Sequence, residues 1–163
     1  VGRTFIQPSD GVRHSNVKRK HNANRGLVEG KRIVLIDDSI VRGTTSKKIV
    51  EMMRDAGATE VHFRVASPPT AHSCYYGVDT PERSALLAAT MELEPMREFI
   101  NADSLAFISI DGLYRAVGKE SRDKACPQFC DACFTGDYPT RRTDFERKEA
   151  GAAQLSFPVN KVA

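Results

Sequence analysis

A chain of 163 residues with a net charge of +3 has the size of one domain, or of a domain with a tail, and is too weakly basic to imply a nucleic-acid partner by itself. Apolar residues make up 40% of it and its mean hydropathy is -0.39, which predicts a soluble globular fold. No apolar run approaches the ~20 residues that span a bilayer, and residues 1–10 lack the basic-then-apolar pattern of a secretory leader, so neither a membrane partner nor export is expected.

The opening residue, Val1 where a Met would stand, points to a natural chain that begins earlier. Residues 1–30 show no clear periodicity. From Arg13 to Arg32 the basic residues Arg13, Lys18, Arg19, Lys20, Arg25, Lys31 and Arg32 face only Glu29. Such a surplus suits an anionic small molecule or a phosphate backbone, with a solvated loop as the competing reading. Ile33 to Ile36 is a short run of β-formers suited to a strand buried on both faces, ended by Asp37-Asp38. Thr45 to Ala56 reads as a helix with Ile49, Met52, Met53 and Ala56 at helical spacing and Gly57 as its stop. Val61 to Ala66 alternates as a half-buried strand does.

Ser67 to Asp79 reads as a loop. Thr80-Pro81-Glu82 resembles a helix start that Ser84 to Ala89 continues, and Pro95 to Ile100 is a further short helix. Leu105 to Ile110 is another apolar strand, and Asp111 is placed to cap a helix running to Val117 and stopped by Gly118. From Lys119 the chain is charged, Cys-containing and poorly periodic, as a tail packed on the domain would be. Alternation of strands with helices implies an α/β domain with a mainly parallel sheet. About three strands are visible where open sheets usually have ~4–6, so further strands are expected upstream.

The segment Asp37 to Ser46 carries the chemistry. Ligands of parallel sheets bind at the carboxyl ends of the strands, and two adjacent carboxylates there need a cation, hydroxyls or both to neutralise them. Gly43 would let backbone approach a ligand closely. The N–H groups and hydroxyls of Thr44, Thr45 and Ser46, at a helix N-terminus, would bind a phosphate. A Walker loop is excluded for want of Gly-x-x-x-x-Gly-Lys, and a dinucleotide fingerprint for want of its glycines. Capping of a turn by Asp37 and of a helix by Thr44 is the bland alternative, and it leaves the acidic pair unexplained.

Three of four cysteines cluster as Cys126, Cys130 and Cys133, with Cys74 remote in sequence. Cys130-x-x-Cys133 has metal-ligand spacing, and both zinc and iron–sulfur sites are compatible with it, as are reduced buried thiols. The four histidines show no ligand spacing.

Asp37-Asp38-Ser39-Ile40-Val41-Arg42-Gly43-Thr44-Thr45, following an apolar strand, resembles the phosphoribosyl pyrophosphate (PRPP) motif of type I phosphoribosyltransferases in the form found in amidophosphoribosyltransferases. Gly2 to Ile6, Asn22 to Arg25, Ser67-Pro68-Pro69 leading to Tyr76 to Asp79, and Cys133 to Gly136 resemble that family too. The resemblance implies an α/β chain forming part of a type I phosphoribosyltransferase fold, a mainly parallel sheet with flanking helices, plus a C-terminal tail. Residues 1–118 would be the C-terminal part of the transferase domain, with 1–30 a lid and 33–46 the PRPP loop; residues 119–163 would be the Cys-containing tail. The family's N-terminal glutaminase domain is absent from this chain.

The implied reaction is the first committed step of purine biosynthesis in the cytoplasm: PRPP, glutamine and water give 5-phosphoribosylamine, glutamate and pyrophosphate, with ammonia from glutamine as the nucleophile. By the resemblance Asp37 and Asp38 hold the ribose hydroxyls and Mg²⁺, and Ser39, Ile40, Val41, Arg42, Gly43, Thr44, Thr45 and Ser46 hold the 5′-phosphate. Lys20 would reach the pyrophosphate from the lid as the catalytic cation. Cys74, Cys130 and Cys133 would ligate a [4Fe–4S] cluster with a fourth cysteine from upstream, Cys126 standing outside the ligand set. Purine nucleotides as feedback inhibitors and a homo-oligomeric state are also implied. This piece alone is expected to be inactive. A non-catalytic regulator binding PRPP or nucleic acid is the rival reading.

Overall fold

The structure, a computed structural model, describes residues 23–140. Lys20, the segment Gly2 to Ile6 and the tail beyond residue 140 lie outside them.

A short helix α1 (Arg25–Val28) leads to β1 (Arg32–Asp37), helix α2 (Thr44–Asp55) and β2 (Glu60–Val65). A 3-10 turn (Arg83–Ala85), α3 (Leu87–Thr90) and α4 (Leu93–Phe99) connect to β3 (Ser104–Phe107); α5 (Ile110–Ala116) and α6 (Ala132–Thr135) follow. The strands form one parallel sheet in the order β1-β2-β3, with Leu35 beside Phe63 and Phe63 beside Leu105. Each parallel neighbour therefore needs a crossover, and α2 supplies the first.

Because side chains alternate along a strand, each strand sends every second residue to the same face. Val61, Phe63, Val65 and Leu105 turn to the face where Ile40, Val50, Leu87, Met96 and Ile100 complete a buried cluster. Each large apolar side chain so buried contributes roughly 1.5–3 kcal/mol. The other face carries a polar row. Arg32 Nε pairs with Glu60 Oε2 at 2.6 Å, His62 lies 2.9 Å from Glu60 Oε2 and 2.8 Å from Ser104 Oγ, and Arg64 Nη1 donates to Ser104 Oγ at 2.9 Å. On this same face Val34 and Ile36 are 60% and 77% exposed. The expectation that Ile33 to Ile36 is buried on both faces therefore fails for the described residues. A parallel strand is buried twice only where both faces are covered, and no described residue covers Val34 and Ile36.

Helix α2 runs one residue earlier than expected at each end. It turns Ser46 and Val50 inward, with Met53 against the core and Ala56 buried just after its end, so of the expected stripe Met53 and Ala56 face the interior while Ile49 and Met52 are half-buried. Its last turn is pinned by Arg54. That guanidinium donates to Asn101 O at 2.9 Å and to Asp103 Oδ2 at 2.9 Å, and the same carboxylate oxygen accepts Val61 N–H at 2.6 Å. No helix starts at Thr80: its hydroxyl accepts Cys74 N–H at 2.6 Å, and Ser73 Oγ donates to Pro81 O at 2.8 Å, which holds the segment in a loop. Extended Leu86 then separates the 3-10 turn from α3. Pro95 sits inside the first turn of α4, where helical N–H groups have no partner to lose. β3 ends at Phe107, short of the expected Ile110. Ser109 rather than Asp111 caps α5, accepting Gly112 N–H at 3.0 Å, while Asp111 Oδ1 receives Arg122 N–H at 3.1 Å.

Candidate functional site

Asp37 is the last residue of β1, so the acidic pair stands at the carboxyl end of a strand of a parallel sheet. Ala66 N–H donates to Asp37 O at 2.9 Å, which ties this end to that of β2. The chain then turns tightly: Asp38 N–H donates to Asp37 Oδ1 at 3.0 Å, and Ser39 N–H to Asp38 Oδ1 at 2.9 Å. Asp38 is exposed, while Asp37 and Ser39 are half-buried.

Ile40 is buried in the core, so only its backbone is available to a ligand. Val41 and Arg42 are half-buried, and Val41 O accepts Leu87 N–H at 2.8 Å. Gly43 precedes α2 with φ 73°, and Lys47 N–H donates to its carbonyl at 2.9 Å. The N–H groups of Thr44, Thr45 and Ser46 thus open the first turn of a twelve-residue helix, where they have no intrahelical acceptor. A phosphate fits such a turn, because its negative charge also meets the positive end of the helix dipole. Thr44 and Thr45 are half-buried, whereas Ser46 is buried and its side chain serves the interior.

Gly43 also has a packing role inside the protein. A β-carbon there would lie 2.6 Å from Leu87 Cδ2 and 3.0 Å from Phe99 Cε1, so close packing inside the protein demands glycine, as does the left-handed φ. Leu87, Phe99 and Lys47, whose Nζ stands 5.4 Å from the Phe99 ring centre, support the loop from behind. No local signal marks these three, because their role depends on contacts distant in sequence.

The second constellation is the cysteines. All four are free thiols; Cys74 and Cys133 are half-buried, and Cys126 and Cys130 are exposed. Cys133 O accepts both Ala71 N–H at 3.1 Å and His72 N–H at 3.0 Å, which seats α6 on the loop leading to Cys74. His72 packs on Gly136, where a β-carbon would lie 2.9 Å from its Cε1. Tyr138 Oη donates to Ser73 O at 2.7 Å, a further strap between tail and loop. Burial pushes the Cys133 thiol above its ordinary value, a backbone hydrogen bond partly opposes this, and the neighbouring Cys74 and Cys130 push it further up. Among the described residues no three His, Cys, Asp or Glu side chains converge tightly enough for a single metal ion.

Beside the thiols lies an ion pair that sequence reading missed. Arg122 grips Asp131, and Asp137 and Tyr114 complete the group. Burial pushes the Asp131 carboxyl up, but hydrogen bonds from Arg122 and Tyr114 outweigh it and leave the group below the usual carboxylate range. Arg122 is correspondingly raised, chiefly by its bond to Asp131.

No protein-family model matches the chain. It is 59% identical over 152 residues to amidophosphoribosyltransferase of Rhizobium etli, which covers 93% of this chain and 31% of that protein. It is 54% identical over 151 residues to chloroplastic amidophosphoribosyltransferase 1 of Arabidopsis thaliana, covering 93% and 26%. With the Bacillus subtilis amidophosphoribosyltransferase it shares 55% over 140 residues, covering 86% and 29%. Among solved structures it is similar to the glutamine PRPP amidotransferase of B. subtilis complexed with ADP and GMP, with a TM-score of 0.68 and 51% identity over 86% of this chain and 30% of that one. The fold is thus part of a type I phosphoribosyltransferase fold, and the chain spans less than a third of the length of these relatives.

Proposed function

Since the chain belongs to the amidophosphoribosyltransferase family, as its C-terminal part, we propose that it supplies the PRPP side of the reaction in which PRPP, glutamine and water give 5-phosphoribosylamine, glutamate and pyrophosphate. The observation that carries this reading is the run from Asp37, at the carboxyl end of β1, through a tight loop to the N-terminus of α2. Asp37 and Asp38 would bind the ribose hydroxyls and hold Mg²⁺. Backbone N–H groups over 39–46, with the Thr44 and Thr45 hydroxyls, would take the 5′-phosphate. Ile40 and Ser46 contribute backbone only, their side chains being buried.

Holding the sugar phosphate this way leaves C1 free for attack by ammonia as pyrophosphate departs. The developing negative charge on pyrophosphate calls for cations, the chemistry that Mg²⁺ supplies when bound. Lys20 and the lid would add to it from outside the described residues. No side-chain nucleophile or general base is needed among residues 23–140. Purine nucleotides as regulators are part of the same reading, supported by the ADP and GMP in the B. subtilis structure. The test is pyrophosphate release from Mg²⁺–PRPP and glutamine by the intact protein. Release in wild type that disappears in Asp37→Asn and Asp38→Asn supports the assignment; PRPP binding without turnover in the intact wild-type protein would favour a non-catalytic regulator.

Cys74, Cys130 and Cys133 would supply thiolate donors to an iron–sulfur cluster, and the bonds of Cys133 O with the N–H groups of Ala71 and His72 bring its turn to the loop that leads to Cys74. A cubane spaces its ligands more widely than one ion does, so the lack of a tight single-ion site among the described residues does not oppose it. The fourth ligand would come from outside this chain. When bound, the cluster would crosslink the tail to the loop after β2, which restricts the unfolded chain.

A further inference from the structure

Asp131 lies inside Cys130-x-x-Cys133, at the residue before α6. Its carboxylate accepts hydrogen bonds from Arg122 Nε at 2.5 Å, Arg122 Nη2 at 3.1 Å, Tyr114 Oη at 3.0 Å and Thr135 Oγ1 at 3.2 Å. Its carbonyl accepts Phe134 N–H at 2.9 Å and Thr135 N–H at 3.0 Å, starting the helical turn that contains Cys133. Arg122 is itself fixed, donating to Asp137 Oδ2 at 2.9 Å, with its backbone N–H on Asp111. The Arg122 and Asp131 side chains are only 8% and 5% exposed.

A buried ion pair is a weak source of stability compared with apolar packing, but a two-pronged one fixes geometry closely. This pair joins three pieces of chain: α5 through Tyr114, the loop through Arg122, and the turn bearing the thiols. On its far side that turn meets residues 71 and 72 through Cys133 O, just before Cys74. We propose that the Arg122–Asp131 pair is a positioning device for the thiols, seating the Cys130–Cys133 turn against the loop of Cys74 independently of any metal. The proposal concerns where the thiols stand, and it holds whether they take an iron–sulfur cluster, zinc or no metal.

The test is iodoacetamide labelling of the chelator-treated intact protein, read at each cysteine by mass spectrometry, with exposed Cys126 as internal reference. In wild type Cys133 should react roughly tenfold or more slowly than Cys126, as a residue protected by local structure does. Asp131→Asn should raise the Cys133 rate roughly tenfold while leaving Cys126 and the main melting transition unchanged. Arg122→Met/Asp131→Leu leaves no lone buried charge, so it decides the matter if the single variant fails to fold. It should expose Cys133 in the same way, and it should form an iron–sulfur chromophore more slowly than wild type when given iron and sulfide. Cys133 as protected in the double variant as in wild type would overturn the proposal, as would equal acceleration at Cys126 with loss of the melting transition. A wild type that forms no chromophore would remove the cluster reading and leave the labelling result to decide this one.

Discussion

Gly43 and Leu87 meet where the phosphate loop touches the body of the domain. A β-carbon on residue 43 would stand 2.6 Å from Leu87 Cδ2, and two residues earlier Val41 O takes the Leu87 N–H at 2.8 Å. The loop is thereby held from behind by a residue on the connection to β3. The shape of the ligand-facing side depends on contacts made on the other side.

Gly43→Ala should therefore damage binding and stability together. The left-handed φ costs a non-glycine residue roughly 1–2 kcal/mol, and the steric overlap with Leu87 and Phe99 adds to it. A lower melting temperature together with weaker PRPP binding in titration calorimetry is the expected result. Unchanged values for both would show that the loop tolerates a side chain there.

Leu87→Ala should act through the same contact in the opposite sense, by leaving a void. The expected loss of stability is about 2–5 kcal/mol, read by urea unfolding of the intact protein. PRPP affinity should fall beyond what the unfolded fraction explains, because the loop loses its packing partner.

Asp103 predicts a pH dependence. The Val61 N–H, and after it the Arg54 guanidinium, hold its carboxyl below the usual carboxylate range against the opposing effect of burial. A carboxylate depressed in the folded state contributes stability that is fully present above its unfolded value, about 4, and is lost as the pH falls through its lower folded value. Between pH 7 and 5 Asp103→Asn should thus be less stable than wild type by about 1 kcal/mol, the worth of an ordinary hydrogen bond for a partly exposed group. Below about pH 4 the two unfolding curves should converge. A difference that persists undiminished at pH 3 would contradict the assignment.

The thiols should behave unequally. Cys74→Ser, Cys130→Ser and Cys133→Ser in the anaerobically purified intact protein should each lower iron and acid-labile sulfide, while Cys126→Ser, altering an exposed thiol, should leave both unchanged. Stoichiometric zinc without sulfide in the wild type would exclude the iron–sulfur reading and keep a metal role for the cluster.

The strand–helix–strand order, the acidic pair at a strand end and the hydroxyl-rich helix start were all legible as local pattern. Chain-local physics explains this: a β-former run, a glycine and a small-residue helix start each declare themselves within a few residues. Local pattern failed where one group had two possible partners. Thr80 fits a helix start by local pattern, yet its hydroxyl serves Cys74 N–H, and Ser109 caps the helix that Asp111 is placed to cap.

The unbroken apolar run Ile33 to Ile36 and the parallel strand it suggests belong to the residues themselves, but which strand faces are covered does not. Val34 and Ile36 look as buried in the sequence as Ile33 and Leu35 do; burial depends on what packs against each face, which is a property of the assembled layers. The same holds in the tail. Cys130-x-x-Cys133 could be read directly, because two thiols on one turn need only short spacing. Arg122 with Asp131, and Cys133 with the backbone of Ala71 and His72, became partners only when the chain folded back, since hydrogen bonds depend on distance in space.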